Sequence, residues 1–282
     1  MDQIILKAFA KINLTLKVLD KRTDGYHNIS SLMQSVSLCD LVKITKIPQG
    51  VRVTCGAADV PSGEKNTAYQ AAAEFLKIWE RGRKASPGEK MGVEISIDKE
   101  IPIGAGLAGG SADAAAAIFG LNRLFEANYS PEELEEMGLK IGADVPFCLV
   151  GGRAEASGRG EILRAVEAGE KKWIILVNPG YEVSTKWAYE EIDRLRASGV
   201  SFEGGANDFE VVVQKKHPEI LDIKQQLIKS GAEVAQMTGS GPTVFGLFSD
   251  KNRAEKVFED LLAISPRTYI ASFVNRGIEV FQ

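Results

Sequence analysis

The chain has 282 residues, with 34 Lys and Arg against 38 Asp and Glu, and its formal charge of −4 excludes a basic nucleic-acid scaffold and disfavours any phosphodiester polymer as partner. A 44% hydrophobic and 26% charged composition is ordinary for a globular protein with one large core or two modest ones, which excludes a disordered chain. Cys39, Cys55 and Cys148 lack CxxC or Cys/His spacing, which argues against a zinc or disulfide framework and suits the cytoplasm.

Residues Met1 to Lys7 lack the basic and then long apolar pattern of a secretory signal. No apolar run approaches the roughly 18–20 residues that span a bilayer, so a soluble protein with no membrane partner is expected. From Leu6 to Val18 apolar residues fall on even positions and Lys7, Lys11, Asn13, Thr15 and Lys17 on odd ones, with Phe9 the exception. This spacing predicts a strand with one buried face and a polar face that sets Lys11 beside Asn13. Asp24-Gly25 marks a turn, and Ile29 to Leu38, Leu41 to Ile47 and Val51 to Cys55 read as further strands of an antiparallel sheet.

Asn66 reads as the N-cap of an Ala-rich helix from Thr67 to Arg81, closed by Gly82. An alternating strand at Val93 to Ile97 leads to Gly104-Ala105-Gly106-Leu107-Ala108-Gly109-Gly110-Ser111 and then a second Ala-rich helix, about Ala112 to Phe125. Ser130-Pro131-Glu132-Glu133 is a capping box that opens a short helix ending near Gly142. Further on, strands at Trp173 to Val177, Glu233 to Met237, Thr243 to Phe248 and Tyr269 to Val274 alternate with helices at Thr185 to Ala197, Ala206 to Gln214, Glu219 to Lys229 and Arg253 to Ala263. The fold class is therefore α+β, with units at 1–160 and 161–282. No Pro/Ser-rich linker separates them, so they are expected to pack directly.

The glycine-rich segment sits between a strand and a helix, where backbone amides and the positive helix end converge on one point. Such a point binds phosphate, and Ser111 adds a hydroxyl for a phosphate oxygen or a metal-bound water. The plainer reading is a flexible turn. No Gly-Lys dipeptide occurs, so the P-loop pattern is absent. Gly104-x-Gly106-x-x-Gly109 matches the dinucleotide fingerprint, but another capped helix follows where that motif needs a strand ending in an acidic residue. Asp144, in Gly142-Ala143-Asp144-Val145-Pro146-Phe147, reads either as a helix-end cap or as a carboxylate needing a partner in an apolar stretch. Lys11 reads either as solvated or as that partner. Thr238-Gly239-Ser240-Gly241-Pro242-Thr243 is a plain turn or a second glycine loop closing over a ligand.

These motifs, in this order, resemble those of the GHMP superfamily of small-molecule kinases over essentially the whole chain. Ala10-Lys11-Ile12-Asn13-Leu14 with Asp24-Gly25-Tyr26-His27 is most similar to the branch whose acceptor is a cytidine diphosphate-linked methylerythritol. Ala108 and Ala112 depart from the commonest pattern, standing where Gly and a second Ser are usual. The resemblance implies a two-domain fold, an N-terminal antiparallel sheet with helices in a ribosomal-protein-like arrangement and a C-terminal ferredoxin-like sandwich. It implies ATP as phosphoryl donor, with magnesium near Ser111, and a monomer or homodimer. Asp144 would be the base and Lys11 its cationic partner, stabilising the developing alkoxide. Pro102, Gly104, Ala105, Gly106, Leu107, Ala108, Gly109, Gly110 and Ser111 would cradle the phosphates, with Asn66 and Lys99 near the adenine. Asn13, Gly239 and Ser240 would hold the acceptor. Tyr26 and His27 would meet the cytosine, with Tyr189 as a third aromatic wall. A different acceptor (homoserine, mevalonate or a sugar) and a nucleotide-binding module without turnover are the alternatives.

Overall fold

The alternation around Leu6 runs through a strand of 19 residues, β1 (Gln3–Lys21), whose even positions from Ile4 to Ile12 are buried. Residues 1–57, 63–82, 92–202, 205–263 and 265–281 are described by the computed structural model. β1 pairs antiparallel with β2 (His27–Ile47), a single continuous strand where two were expected, because Cys39 and Asp40 stay in the ladder. Register shifts at Phe9/Lys11 and Asn13/Thr15 flank the two polar residues of β1, and such bulges re-aim side chains.

β3 (Gly50–Cys55) pairs with β4 (Gly92–Asp98) in parallel, not antiparallel as expected. The helix between them in sequence, α1 (Thr67–Gly82), supplies the crossover that parallel pairing requires. Next come α2 (Gly109–Leu124), α3 (Pro131–Leu139), α4 (Val145–Val150), β5 (Arg153–Ser157) and β6 (Ile162–Ala165). α2 is Ala-rich because it is buried nearly all round: Ala112 and Ala114 to Ala117 are all enclosed. The Ser130–Glu133 capping box forms as read.

The remaining elements are β7 (Trp173–Val177), α5 (Thr185–Ala197), α6 (Phe209–Lys216), α7 (Glu219–Lys229), β8 (Val234–Met237), β9 (Val244–Phe248), α8 (Lys251–Leu262), β10 (Thr268–Ser272) and β11 (Ile278–Val280). A four-stranded antiparallel sheet, β10-β7-β9-β8, carries helices on one face, through Ile175, Val177, Val244 and Phe248. Its other face, Ile174, Leu176, Phe245 and Leu247, joins the core of the first sheet. Both faces being covered, the two central strands, β7 and β9, read as unbroken apolar runs. The expected division at residue 160 falls inside the β5–β6 hairpin, which belongs wholly to the first sheet, and that sheet also takes β11 beside β1. Both added strands are short and half exposed, so neither has a hydrophobic period to read. Among the described residues no helix is long and apolar enough to cross a membrane.

Candidate active site

α2 begins at Gly109, three residues before the expected Ala112, with Ala108 at its N-cap in the left-handed region, φ 58 and ψ 31. No side chain caps this helix, so its first-turn amides are left for an anion. Gly104 and Gly106 hold φ of 61 and 77, conformations that only Gly adopts freely. Ala108 shows why Gly is usual there, since a left-handed residue with a Cβ costs roughly 1–2 kcal/mol.

The second glycine loop packs directly on the first. A Cβ on Gly106 would lie 2.3 Å from the Thr238 carbonyl oxygen, and one on Gly239 would lie 3.0 Å from the Gly106 carbonyl oxygen. The Thr238 hydroxyl accepts the Asn13 amide at 2.9 Å and donates to the Gly106 carbonyl at 3.3 Å. Asn207 Nδ2 donates to the Met237 and Gly239 carbonyls, and Ser240 Oγ lies 2.8 Å from Thr185 Oγ1 at the start of α5.

Under this roof the polar face of β1 is enclosed, so the solvated reading of Lys11 fails: it is 4% exposed. Its ammonium donates to Asn13 Oδ1 at 2.8 Å and faces Asp144 Oδ2 at 3.7 Å. Asn13 Nδ2 in turn donates to Ser31 Oγ at 2.8 Å. Asp144 stands at the N-cap position of α4 but makes no capping bond, and its side chain is 35% exposed. A helix-end carboxylate that does not cap its helix is free for the cleft and for Lys11. The pair can therefore take a proton from a hydroxyl and offset the charge that appears on its oxygen.

At one end of the cleft His27 is buried, with its ring stacked on Tyr189 at 4.8 Å and 9° and its Nε2 2.7 Å from Asp193 Oδ1. Tyr189 meets Phe209 edge-on at 4.9 Å. It thus backs His27 as well as lining the cleft. Burial, and after it the nearby Asp144 charge, push the Tyr189 hydroxyl up to about 12, so it stays neutral. Tyr26 is 57% exposed, with the Arg159 guanidinium 4.9 Å from its ring centroid.

At the other end Asn66 caps α1, its Oδ1 accepting the Ala68 amide at 2.8 Å, and Thr67 Oγ1 donates to the Gly110 carbonyl at 2.7 Å. Lys99 is held between two carboxylates, Asp40 and, at 2.8 Å, Asp113, directly beneath Gly109. Its ammonium therefore braces the loop from below, a structural tie that its expected place near the adenine did not include. Asp40 Oδ1 accepts the amides of Glu100 and Ile101, whereas Asp113 Oδ1 has no hydrogen-bond partner.

Burial pushes the Asp113 carboxyl from its ordinary 3.8 up to about 7, with Lys99 offsetting only part. The folded state then binds a proton that the unfolded chain has released, so this stabilising contribution is complete below about pH 4 and lost as pH rises through 7. Asp113→Asn is expected to melt higher relative to wild type at pH 8 than at pH 5. Calorimetry at the two pH values checks this, and an unchanged difference would count against it.

Lys11, Asn13, Tyr26, His27, Asn66, Lys99, Pro102, Gly104 to Gly106, Ala108 to Ser111, Asp144, Tyr189, Gly239 and Ser240 all line one cleft of about 1040 Å³. That is at the upper end of small-molecule sites, roughly 300–1,000 Å³, and has room for a nucleotide and a second substrate. Leu107 is the exception. Its side chain is buried in the core and its carbonyl accepts the Lys11 amide at 3.1 Å, so it anchors the loop to β1 instead of lining the cleft. Sequence reasoning missed Asp40, Asp113, Arg159 and Asp193, and, for Thr238, which stood in the second glycine loop, it missed the bonds to Asn13 and Gly106. Of these only Asp113, one turn into a helix that follows a glycine loop, had a local signal.

The family description "GHMP kinases N terminal domain" matches residues 66–152, and "GHMP kinases C terminal" matches residues 188–264. A 4-diphosphocytidyl-2-C-methyl-D-erythritol kinase from Moorella thermoacetica is 40% identical over 290 residues, spanning 96% of this chain and 99% of that protein. The protein of the same name from Thermoanaerobacter pseudethanolicus is 40% identical over 299 residues, spanning 100% of both. A crystal structure of a 4-(cytidine 5'-diphospho)-2C-methyl-D-erythritol kinase superposes with a TM-score of 0.78 at 31% identity, covering 96% of this chain and 99% of its own. A homoserine kinase from Cytophaga hutchinsonii shares the fold, with a TM-score of 0.70 at 19% identity, covering 100% of this chain and 98% of its own.

Proposed function

Since the chain belongs to the 4-diphosphocytidyl-2-C-methyl-D-erythritol kinases of the GHMP kinase family, we propose that it transfers the γ-phosphoryl group of ATP to the 2-hydroxyl of 4-diphosphocytidyl-2-C-methyl-D-erythritol, a step of the non-mevalonate route to isoprenoid precursors. The observation that carries this reading is the Lys11–Asp144 pair at 3.7 Å, in a cleft with an uncapped helix N-terminus at one end and Tyr26 and His27 at the other.

In phosphoryl transfer the protein contributes mainly positioning and charge stabilisation. The loop from Gly104 to Ser111 holds the phosphates with backbone amides, and Asn66 and Thr67 border the base of ATP. Asp144 accepts the acceptor's hydroxyl proton and Lys11 meets the developing alkoxide. Asn13, oriented through both ends of its amide, holds the acceptor, and Gly239 and Ser240 close over it. The first half of the chain thus carries both the ATP loop and the residues that hold and activate the acceptor, and the second half covers it.

A hydroxyl oxygen is a donor that magnesium accepts, and Ser111 Oγ lies at the phosphate loop by the Gly142 turn. Magnesium would therefore be held mainly by phosphate oxygens with Ser111 and would neutralise their charge. The three free thiols suit a reducing, cytoplasmic setting.

The test is ADP release by the purified protein with ATP and a panel of acceptors. Turnover is expected with the cytidine diphosphate-linked methylerythritol and not with homoserine, mevalonate or galactose. Turnover with one of the latter alone would replace this reading.

A further inference from the structure

Asp193 lies on α5, yet both of its carboxylate oxygens engage the β1–β2 hairpin: Oδ2 takes Lys21 Nζ at 2.6 Å and Oδ1 lies 2.7 Å from His27 Nε2. Lys21 and His27 are cross-strand partners, so one carboxylate clasps both strands of the hairpin at the rim of the cleft. Burial works against charge on Asp193, but hydrogen bonds from Lys21 and His27 outweigh it and hold the carboxyl below its ordinary range. An ionised carboxylate accepts and never donates. Nε2 of His27 therefore carries a proton, and in the neutral imidazole Nδ1 is the bare nitrogen. The stack on Tyr189 holds the ring plane, so the ring cannot turn over without giving up the stack or the carboxylate.

Resting on the reading above, in which His27 meets the cytosine of the acceptor, we propose that Asp193 is a positioning residue for base selection. His27 lines the cleft, and by fixing the proton on Nε2 Asp193 leaves Nδ1 as the acceptor of the neutral ring. Cytosine offers an exocyclic amine there, a donor that matches. Uracil offers a carbonyl, a second acceptor that is repelled. Asparagine at 193 can present either its oxygen or its amide to Nε2, so the tautomer, and with it the choice of base, is released.

The test compares the acceptor with its uridine analogue at saturating ATP. Wild type is expected to favour cytidine by about 10–100-fold in kcat/KM, the worth of one hydrogen-bond mismatch. Asp193→Asn is expected to lower that preference to about threefold or less and to raise acceptor KM about tenfold, with a smaller fall in kcat and an unchanged KM for ATP. Lys21→Gln breaks the tether and leaves the Nε2 bond, and is expected to keep the preference. A wild-type preference retained in Asp193→Asn, or lost equally in Lys21→Gln, overturns the inference alone. Failure of the wild type to use either acceptor overturns the functional reading beneath it. Imidazole 15N spectra of the wild-type protein, assigned with His217→Gln, depend on no change at Asp193. The Nε2–H tautomer of His27 is the expected result, and the Nδ1–H tautomer overturns the proposal.

Discussion

Asp144→Asn is expected to lower kcat by about 10²–10⁴-fold, the usual share of a positioned general base, while the Kd for ATP changes little. The substitution keeps the shape of the side chain and removes its proton affinity. Because Asp144 makes no capping bond to α4, the fold loses no helix-terminal interaction, and Lys11 keeps its bond to Asn13 Oδ1. The effect should therefore fall on the chemical step. In a loose transition state the proton leaves late, so part of the loss comes from aiming the hydroxyl and not from basicity alone. A double variant with Lys11→Met separates the two residues: if they act as one unit, the combined loss is far smaller than the product of the single losses. Steady-state kinetics coupled to ADP release, with calorimetric titration of ATP, measure both. An undiminished kcat in Asp144→Asn removes this carboxylate from the mechanism.

Gly106→Ala is expected to be the most damaging single methyl in the phosphate loop. Its Cβ would meet the Thr238 carbonyl at 2.3 Å, and the residue holds φ 77. Backbone strain accounts for roughly 1–2 kcal/mol and overpacking for about 1–3 kcal/mol, so the total is about 2–5 kcal/mol. Ala108 already adopts φ 58 in the same loop, which shows that the conformation alone is tolerated and that the collision decides. The expected result is a melting temperature lower by about 5–15 °C. A phosphate loop displaced by about 1 Å should also lower kcat/KM for ATP by roughly 10²-fold. Thermal unfolding and ATP kinetics on the one variant test both. A wild-type melting temperature would mean that the two glycine loops are not in contact.

What could be read without the structure was whatever lies within a few residues along the chain. Lys11 and Asn13 share a strand face, the loop at 104–111 precedes its helix, and the Ser130–Glu133 box is local, so each was legible. The residues that orient them meet across long separations. Thr238 reaches Asn13 over 225 residues and Asp193 reaches His27 over 166, and neither a Thr at the start of a glycine loop nor an Asp within a helix carries a mark of such a partner. The direction of β3 was unreadable for a related reason. Six residues of strand contain no polarity signal, and the crossover helix sets it. α4, six residues opening on Val145-Pro146, is too short to show a period. Lys11 is enclosed by elements distant in sequence, the loop whose Leu107 carbonyl takes its amide and the segment that carries Asp144, so strand alternation alone pointed to solvent.

The pairing of Leu6 to Ala8 with Ile278 to Val280 bears on how the protein is made. At synthesis rates of about 5–20 residues per second, the outer edge of β1 must wait on the order of tens of seconds on the ribosome before its partner exists. For that time a long strand shows unpaired amides and carbonyls along one side, the kind of edge that recruits other chains. Lys7 on this stretch fits the role of a guard, since a charge on an open edge discourages pairing between copies until Glu279 arrives to meet it at 3.5 Å.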